Sequence, residues 1–255
     1  GGTGVDKAQI MTQAAMLRRR LGEDSDFPVD VFALAQDIKG LSLVLYPMSD
    51  KLSGMCIKGA EKDKANVIAI NSAMTLGRQR FSLAHELYHL FWDTQMNSIC
   101  AKQIGGATET EKAADCFASY FLMPPAHLEM RLDSLLQHDS VLSVSDVIHL
   151  EQYFKVSHQA MLIRLKEEGY LTADQYAGMQ LGVKRTAELM GYPTTLYMPT
   201  PEPEQYATYG NYLAQALQAL EEDLISEGKY DELLLDAFRT DLVYGTADEG
   251  GEILD

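Results

Sequence analysis

The chain has few cysteines, few basic residues and no long apolar run. Its three cysteines, Cys56, Cys100 and Cys116, are an odd number without CxxC spacing, so neither a disulfide framework nor a cysteine-type zinc site is predicted. We expect ordinary buried or half-buried thiols; the alternative is that one is a redox group or an inhibitory metal ligand. No window approaches about 18 apolar residues, and the N-terminus lacks the basic and apolar regions of a signal peptide, so we expect a cytoplasmic protein without membrane contacts.

Basic residues are scarce throughout the chain. There are 21 Lys and Arg against 37 Asp and Glu, which gives a formal net charge of -16. The charge is concentrated at the end, because 14 acidic residues from Leu196 to Asp255 are balanced by Lys229 and Arg239 alone. An acidic protein repels phosphate backbones, so no direct contact with nucleic acid is expected.

The order of the patterns predicts an α+β fold in 255 residues, 46% of which are hydrophobic. Two helices are predicted over residues 6–21 and 28–40. Three short runs rich in branched residues follow, "LSLVLYP", "LSGMCIKG" and "ANVIAIN", and they predict three strands of a small sheet. Helical periodicity then resumes in "SAMTLGRQRFSLAHELYHLFWD" and in "ETEKAADCFASYFL", which Pro124 and Pro125 end.

The rest of the chain reads as mostly helical. Two helices meet near Val156 and Ser157, and a third follows in "ADQYAGMQLGVKRTAELMG". The segment "YPTTLYMPTPEPE" holds four prolines in 13 residues, which is typical of an extended strap, and two helices broken at Gly228 are predicted after it. We therefore predict a core over residues 1–130, a helical extension resembling a helix-turn-helix over 131–191, and a proline-rich strap with an acidic helical tail over 192–255.

The stretch "AHELYH" carries the clearest chemistry. His85 and His89 are four residues apart, so on a helix both imidazoles face one point, which suits a zinc ion. Glu86 is rotated by about 100° from His85, where it can reach a water on the metal and act as a general base without ligating. The alternative is a helix with two buried, hydrogen-bonded histidines.

A catalytic zinc site needs a third protein ligand. On a helical wheel, Glu111 falls within the apolar stripe of its helix, whereas Glu109 points the opposite way. A carboxylate on a buried face needs a cation or donors, so Glu111 is the expected ligand. Asp115, one turn later, could accept the second N–H of a ligating histidine. The alternative for Glu111 is a carboxylate that interacts with the positive end of the helix dipole.

Together, "RQRFSLAHELYHL" and "EKAADCFASYFLMP" resemble the ImmA/IrrE family of bacterial zinc metallopeptidases, and the Glu111 to Asp115 spacing is similar to the ExxxD of the thermolysin-like gluzincins. The resemblance covers residues 66–125 closely and extends loosely through "VSHQAMLIRL". Two residues depart from the family pattern: Tyr88 stands where Gly is usual, and Asp115 where Asn is common. The resemblance implies a zincin-like core and a zinc endopeptidase whose substrate is a helix-turn-helix repressor of a mobile element, stress response or toxin-antitoxin system.

Peptide hydrolysis would use Glu86 to take a proton from water and return it to the leaving amine. "VIAINSA", directly before the motif helix, is interpreted as an edge strand, with Ile70, Asn71 and Ser72 available to pair with an extended substrate. An ordinary strand-to-helix turn is the alternative there.

Two other classes of function remain open from the sequence. The helices meeting at "FKVSHQ" could bind DNA, although residues 145–170 hold four acids against three bases, whereas a reading helix should be basic. A zinc-stabilised interaction module without hydrolysis is the other, but a structural site would not need Glu86 as a base.

Overall fold

The computed structural model describes residues 4–23, 25–59, 65–94, 97–101, 108–137 and 141–245. In these ranges the fold is α+β, as predicted, with one mixed sheet and surrounding helices. The strands are β1 (Leu41–Tyr46), β2 (Leu52–Ile57), β3 (Asn66–Asn71), β4 (Asn97–Ala101) and β5 (Ala207–Gly210). None of the helices in the described part of the chain is long and apolar enough to cross a bilayer.

The helices form one group around the sheet and a longer series after it. The first group is α1 (Lys7–Arg20), α2 (Val31–Gln36), α3 (Leu76–Trp92) and α4 (Glu109–Leu122). The later helices are α5 (Pro125–Leu136), α6 (Val144–Phe154), α7 (His158–Glu167), α8 (Ala173–Gly178), α9 (Val183–Leu189), α10 (Asn211–Glu221), α11 (Glu227–Asp236) and α12 (Thr240–Tyr244). The break predicted at Gly228 is wrong, because Gly228 lies inside α11. The chain instead turns at Asp223, whose φ of 56° is one that Asp adopts more readily than most residues.

The five strands lie in the order β4-β2-β3-β1-β5. β1 and β3 are parallel, and the other pairs are antiparallel. β3 is therefore a central strand. Two edge strands, β4 and β5, were not predicted; each is only four or five residues long, too short for an alternating pattern to be distinguished from its surroundings.

The helix that carries the histidine motif, α3, packs on β2 and β3, while α4 packs on α3 and α1 packs on α4. Leu83 and Leu87 of α3 and Phe117 and Phe121 of α4 are fully buried. Burial of each such side chain contributes roughly 1.5–3 kcal/mol, so the two helices that carry the candidate site are held firmly together.

Polar anchors fix the first half of α3. The Arg80 guanidinium donates to the carbonyl oxygens of Lys155 and Val29 at 2.8 and 2.6 Å. The buried Gln79 amide donates to the Met74 carbonyl oxygen at 2.8 Å and to the Thr200 hydroxyl at 2.9 Å. These bonds join α3 to the helical extension and to the proline-rich strap, two segments distant in sequence.

The strap, residues 192–204, lies against the start of α3. The backbone N–H of Leu76 donates to the Met198 carbonyl oxygen at 2.8 Å, and the Ser72 hydroxyl donates to the Gln205 carbonyl oxygen at 2.7 Å. β5 then pairs with β1 as an edge of the central sheet. Every acidic side chain from Glu202 to Asp236 is exposed. The predicted domain boundaries at residues 130 and 191 stay a prediction. The hydrogen bonds described here join residues that lie on opposite sides of those boundaries.

The helix pair α6 and α7 is joined by a short turn that packs against α3. Ser157 caps α7 by accepting a hydrogen bond from the Ala160 N–H at 3.2 Å. A Cβ atom on Gly77 of α3 would come within 2.9 Å of the Ser157 nitrogen, so the two backbones touch. In a DNA-binding helix-turn-helix, the start of the second helix enters a groove of the DNA. The start of α7 instead packs against α3 of the protein itself.

Candidate metal centre

The two histidines of the motif lie one turn apart on α3 and face the same point. Their Nε2 atoms are 3.2 Å apart, and His85 and His89 are 6% and 1% exposed. The helix continues through both because its opposite side is held in the core by Leu83 and Leu87. The i, i+4 spacing alone produces this arrangement, as the sequence predicts.

Glu111 comes to the same point from the first turn of α4. The Thr108 hydroxyl caps that helix by accepting from the Glu111 N–H, which fixes the start of the turn. The Glu111 carboxylate oxygens lie 3.3 Å from His85 Nε2 and 3.2 Å from His89 Nε2. Hydrogen bonds from His85 and His89 hold the pKa of Glu111 well below its usual range, so its carboxylate is anionic at neutral pH. Glu109, in contrast, is exposed.

The donor set and its spacing suit a tetrahedral metal ion. Zinc binds imidazole nitrogen and carboxylate oxygen at about 2.0–2.2 Å, so neighbouring ligand atoms of a tetrahedral site are about 3.3 Å apart. The three separations here are 3.2, 3.2 and 3.3 Å. Among the residues that the structure describes, His85, His89 and Glu111 therefore form a group that could hold a metal ion.

Each histidine is oriented by a carboxylate on its other ring nitrogen. Asp115 lies 2.8 Å from His85 Nδ1, and Asp93 lies 2.8 Å from His89 Nδ1. A proton held on Nδ1 leaves Nε2 as the atom that faces the metal position. The role of Asp115 was predicted from its spacing. Asp93 was missed, although it stands four residues after His89, directly after the end of α3, and that spacing is a signal that the sequence does contain.

We expect Asp93→Asn and Asp115→Asn each to weaken metal binding by about 10- to 100-fold, because the neutral amide accepts the Nδ1 proton less strongly and makes the imidazole a poorer ligand. Competition with a chromophoric chelator measures the affinity. Asp37→Asn, at an exposed site far from the histidines in sequence, is the matched control. Affinities equal to that of the control would contradict the orienting role.

Glu86 is completely buried beside His85 and is not among the three converging side chains. Its carboxylate lies against β2, where a Cβ atom added to Gly54 would come within 3.1 Å of Glu86 Oε1 and 3.0 Å of the Ala69 carbonyl oxygen. The absence of a side chain at Gly54 therefore sets the space that this carboxylate occupies. Nothing in the sequence around Gly54 indicates this contact, because the proximity of Gly54 to Glu86 depends on how α3 packs on the sheet.

A Gly54→Ala protein should keep its metal but cleave peptides about tenfold more slowly, because even a small displacement of a reacting group is costly. The new methyl group must push the Glu86 carboxylate or the neighbouring strand by a few tenths of an ångström. kcat and metal content measured together test this. Gly178→Ala, where an added Cβ would meet nothing within 4 Å, is the control, and equal kcat values for the two variants would refute the steric role.

The substrate-binding residues predicted before the motif helix are misassigned. β3 is not an edge strand, since β1 and β2 pair with its two sides. Ile70, Asn71 and Ser72 are each no more than 1% exposed. The Asn71 amide donates to the Leu52 carbonyl oxygen at 2.7 Å, and the Ser72 hydroxyl donates to the carbonyl oxygen of Gln205, the residue after the strap. Both side chains therefore stabilise the turn between β3 and α3. The prediction was wrong because strand order depends on partners that are distant in the chain.

Tyr88, Cys56 and Cys116 are not among the side chains that converge on the metal position. Tyr88 stacks on Trp92 and packs against Phe117, so its ring belongs to the helix packing. Cys56 is buried in β2, while burial raises the pKa of the half-buried Cys116 thiol to about 11. A thiol with so high a pKa is a weak metal ligand and a slow nucleophile at neutral pH. The side chain of Cys100 lies outside the described residues.

Comparison with known protein families matches the part of the chain that contains these residues. A family model described as Peptidase M78, the IrrE N-terminal-like domain, matches residues 39–166. That segment is just over half of the chain, and it contains β1 to β4, α3 to α6 and all of α7 except its last residue. No curated protein matches the chain. The matched segment contains the three side chains that could hold a metal ion. The chain therefore belongs to the ImmA/IrrE family of metallopeptidases.

Proposed function

We propose that this protein is a zinc-dependent endopeptidase that cuts a bacterial regulator, namely a helix-turn-helix transcriptional repressor of a mobile element, stress response or toxin-antitoxin system. The observation that carries the proposal is the fully buried Glu86 carboxylate next to a group of two imidazoles and one carboxylate that could hold a metal. A structural metal site has no need of such a carboxylate, whereas hydrolysis needs a proton acceptor.

Zinc is the metal that we propose, because two neutral imidazoles and one carboxylate are a common donor set for catalytic zinc. When bound, it supplies Lewis acidity that acidifies water and polarises a peptide carbonyl. His85, His89 and Glu111 would hold it, while Asp93 and Asp115 keep the Nδ1 protons in place. Glu86 would accept the proton of the attacking water at its carboxylate and deliver it to the leaving nitrogen of the cut bond.

The outer edge of β4 is the proposed place for the substrate backbone. β4 pairs with β2 on one side, and no other strand in the described residues pairs with it. β2 also carries Gly54, which lies next to the Glu86 carboxylate. A peptide added to β4 would therefore extend the same sheet that packs beside this carboxylate. An exposed strand edge binds an extended peptide through backbone hydrogen bonds and therefore tolerates many sequences.

Recognition of the repressor would then depend on another surface. The exposed acidic side chains from Glu202 to Asp236 lie on a segment that joins the core through β5. A DNA-binding domain is basic, so an acidic surface fixed to the peptidase would speed encounter with such a substrate. Cleavage of the repressor should consequently slow as the salt concentration rises, since screening weakens attraction between exposed charges.

The test is to incubate the zinc-loaded protein with the helix-turn-helix repressor encoded by the neighbouring gene and, separately, with unfolded casein. Glu86→Gln serves as the inactive control. Cleavage of the repressor at one or a few sites, absent from the control, is expected. Rapid digestion of casein with the repressor intact would indicate a general peptidase, and zinc binding without cleavage of either would indicate an interaction module. Salt-dependent retention on DNA would favour the DNA-binding alternative.

A further inference from the structure

A cavity of about 450 Å³ lies away from the metal centre, where three parts of the chain meet. Its walls come from the starts of α3 and α7, from residues 176–184 around α8 and α9, and from the strap at Leu196 and Tyr197. Cavities of this size bind small molecules in many proteins. No residue of the candidate metal centre lines it, so the peptidase chemistry does not account for it.

The charge of the cavity wall is opposite to that of the protein. Arg78 and Lys184 line it, and none of the described residues that line it is Asp or Glu, although the chain carries a net charge of -16. Burial lowers the pKa of Arg78, which means that this cation has given up part of its hydration. An anion bound beside Arg78 and Lys184 would accept charge-assisted hydrogen bonds from both cations.

The hydroxyl groups at the two helix starts differ in what they already bind. Ser157 caps α7 and is occupied by the Ala160 N–H. Thr75, at the start of α3, makes no capping hydrogen bond with its side chain. The Thr75 hydroxyl is therefore the better placed of the two to bind a ligand oxygen, next to the positive end of a helix of 17 residues.

A buried hydrogen-bond network holds the wall in place before any ligand binds. His158 has Nδ1 2.6 Å from Glu151 Oε2 and Nε2 2.7 Å from the Met179 carbonyl oxygen, so both of its ring nitrogens are occupied. The Tyr197 hydroxyl donates to the other Glu151 oxygen at 2.5 Å. This network ties α6, α7, the end of α8 and the strap together, and a preformed wall lowers the entropic cost of binding.

The remaining wall is apolar and aromatic. Leu162 and Leu196 are buried, while Val183 and the Tyr176 and Tyr197 rings are half-buried. A ligand that fills this side gains by removing apolar surface from water. Another cavity, about 370 Å³ beside Cys116, differs because charges of both signs line it, with the carboxylates of Asp115 and Glu167 beside the cations of Lys7, Lys112 and Arg164. An anion bound there would meet carboxylates as well as cations.

We propose that the cavity between α3, α7, α9 and the strap binds a small organic anion, with its phosphate or carboxylate group at Arg78 and Lys184 and its apolar or aromatic body against Leu162, Val183 and Tyr176. The ligand would contact the helix that carries His85 and His89 as well as two segments that follow it in the chain. Since it binds only the folded assembly of these parts, occupancy stabilises the fold.

The experiment uses phenyl phosphate as the probe, titrated calorimetrically into the full chain, with inorganic phosphate and phenol as the two halves of the ligand. We expect saturable binding of one phenyl phosphate per chain, tighter than either half, together with a rise in melting temperature. Arg78→Gln/Lys184→Gln should weaken it by about tenfold or more, the loss expected for removing charge-assisted hydrogen bonds. Arg19→Gln/Lys39→Gln changes the net charge equally at exposed positions outside the cavity and should bind as the unaltered protein does.

A second variant protects the test against misfolding of the charge variant. Val183→Trp fills the apolar side of the cavity without changing the charge and should also weaken phenyl phosphate binding by about tenfold or more, because the site can no longer close around the ring. Three outcomes would overturn the proposal: no saturable binding at millimolar probe, equal losses in the cavity and control double variants, or phenol binding as tightly as phenyl phosphate. None of these measurements requires metal or cleavage, so their failure would leave the proposed peptidase function untouched.

Discussion

A Glu86→Gln protein is expected to retain its metal and to lose peptide cleavage by about 100- to 10,000-fold, the range for removing a general acid or base. The glutamine amide has the shape of the carboxylate but cannot take a proton from water. Glu86 is fully buried, with its carboxylate against Gly54, and we expect the glutamine side chain to fill the same space because it has the same shape. Elemental analysis measures the metal, and cleavage of the repressor measures the activity.

Metal content and cleavage activity, measured on the same variant, show whether Glu86 acts as a general base or as a metal ligand. Glu86 is outside the group formed by His85, His89 and Glu111, so loss of metal in this variant would contradict its assignment as a non-ligand. Full activity with bound metal would instead remove Glu86 from the mechanism and require another proton acceptor. Thermal denaturation should show nearly the same midpoint as the unaltered protein, which excludes unfolding as the cause of lost cleavage.

Replacing Glu111 with Ala should reduce metal affinity by more than the roughly 10- to 100-fold expected when a residue that only orients a ligand is changed. Glu111 contributes the carboxylate that lies 3.2 to 3.3 Å from both Nε2 atoms, and alanine leaves two imidazoles alone. Glu109→Ala removes the same charge two residues earlier on the same helix, at an exposed position, and should bind metal normally.

This pair of variants also tests the alternative that Glu111 only stabilises the start of α4. Both glutamates lie in the first turn of α4. If each acted only through the helix dipole, replacing either one with Ala would lower the stability of the protein by a similar amount, typically about 0.3–1 kcal/mol. Similar losses of metal affinity at Glu109 and Glu111 would refute the ligand role. Zinc titration followed by chelator competition distinguishes the cases, and thermal melting measures the contribution to helix stability separately.

Local features of this protein were determined by the sequence. The periodicity of α3 places His85 and His89 on one face, and the wheel of α4 places Glu111 inward and Glu109 outward, as the exposures show. The orienting carboxylate Asp93 was equally available from its spacing to His89. In each case the distance between side chains is set within one or two helical turns, where backbone geometry leaves little choice.

Tertiary structure alone decided the order of the strands, the contact of Gly54 with Glu86 and the cavity around Arg78. β3 became central because β1 and β2 pair with its two sides, and β1 is covered in turn by β5, from residues 207–210, which lies more than half the length of the chain away. The Gly54 contact depends on the packing of α3 against β2, and the cavity on three segments that meet only after folding. Such arrangements depend on which apolar faces pack together and in which register. A single sequence permits many pairings, and their free energies differ only once all the contacts of the folded protein are counted.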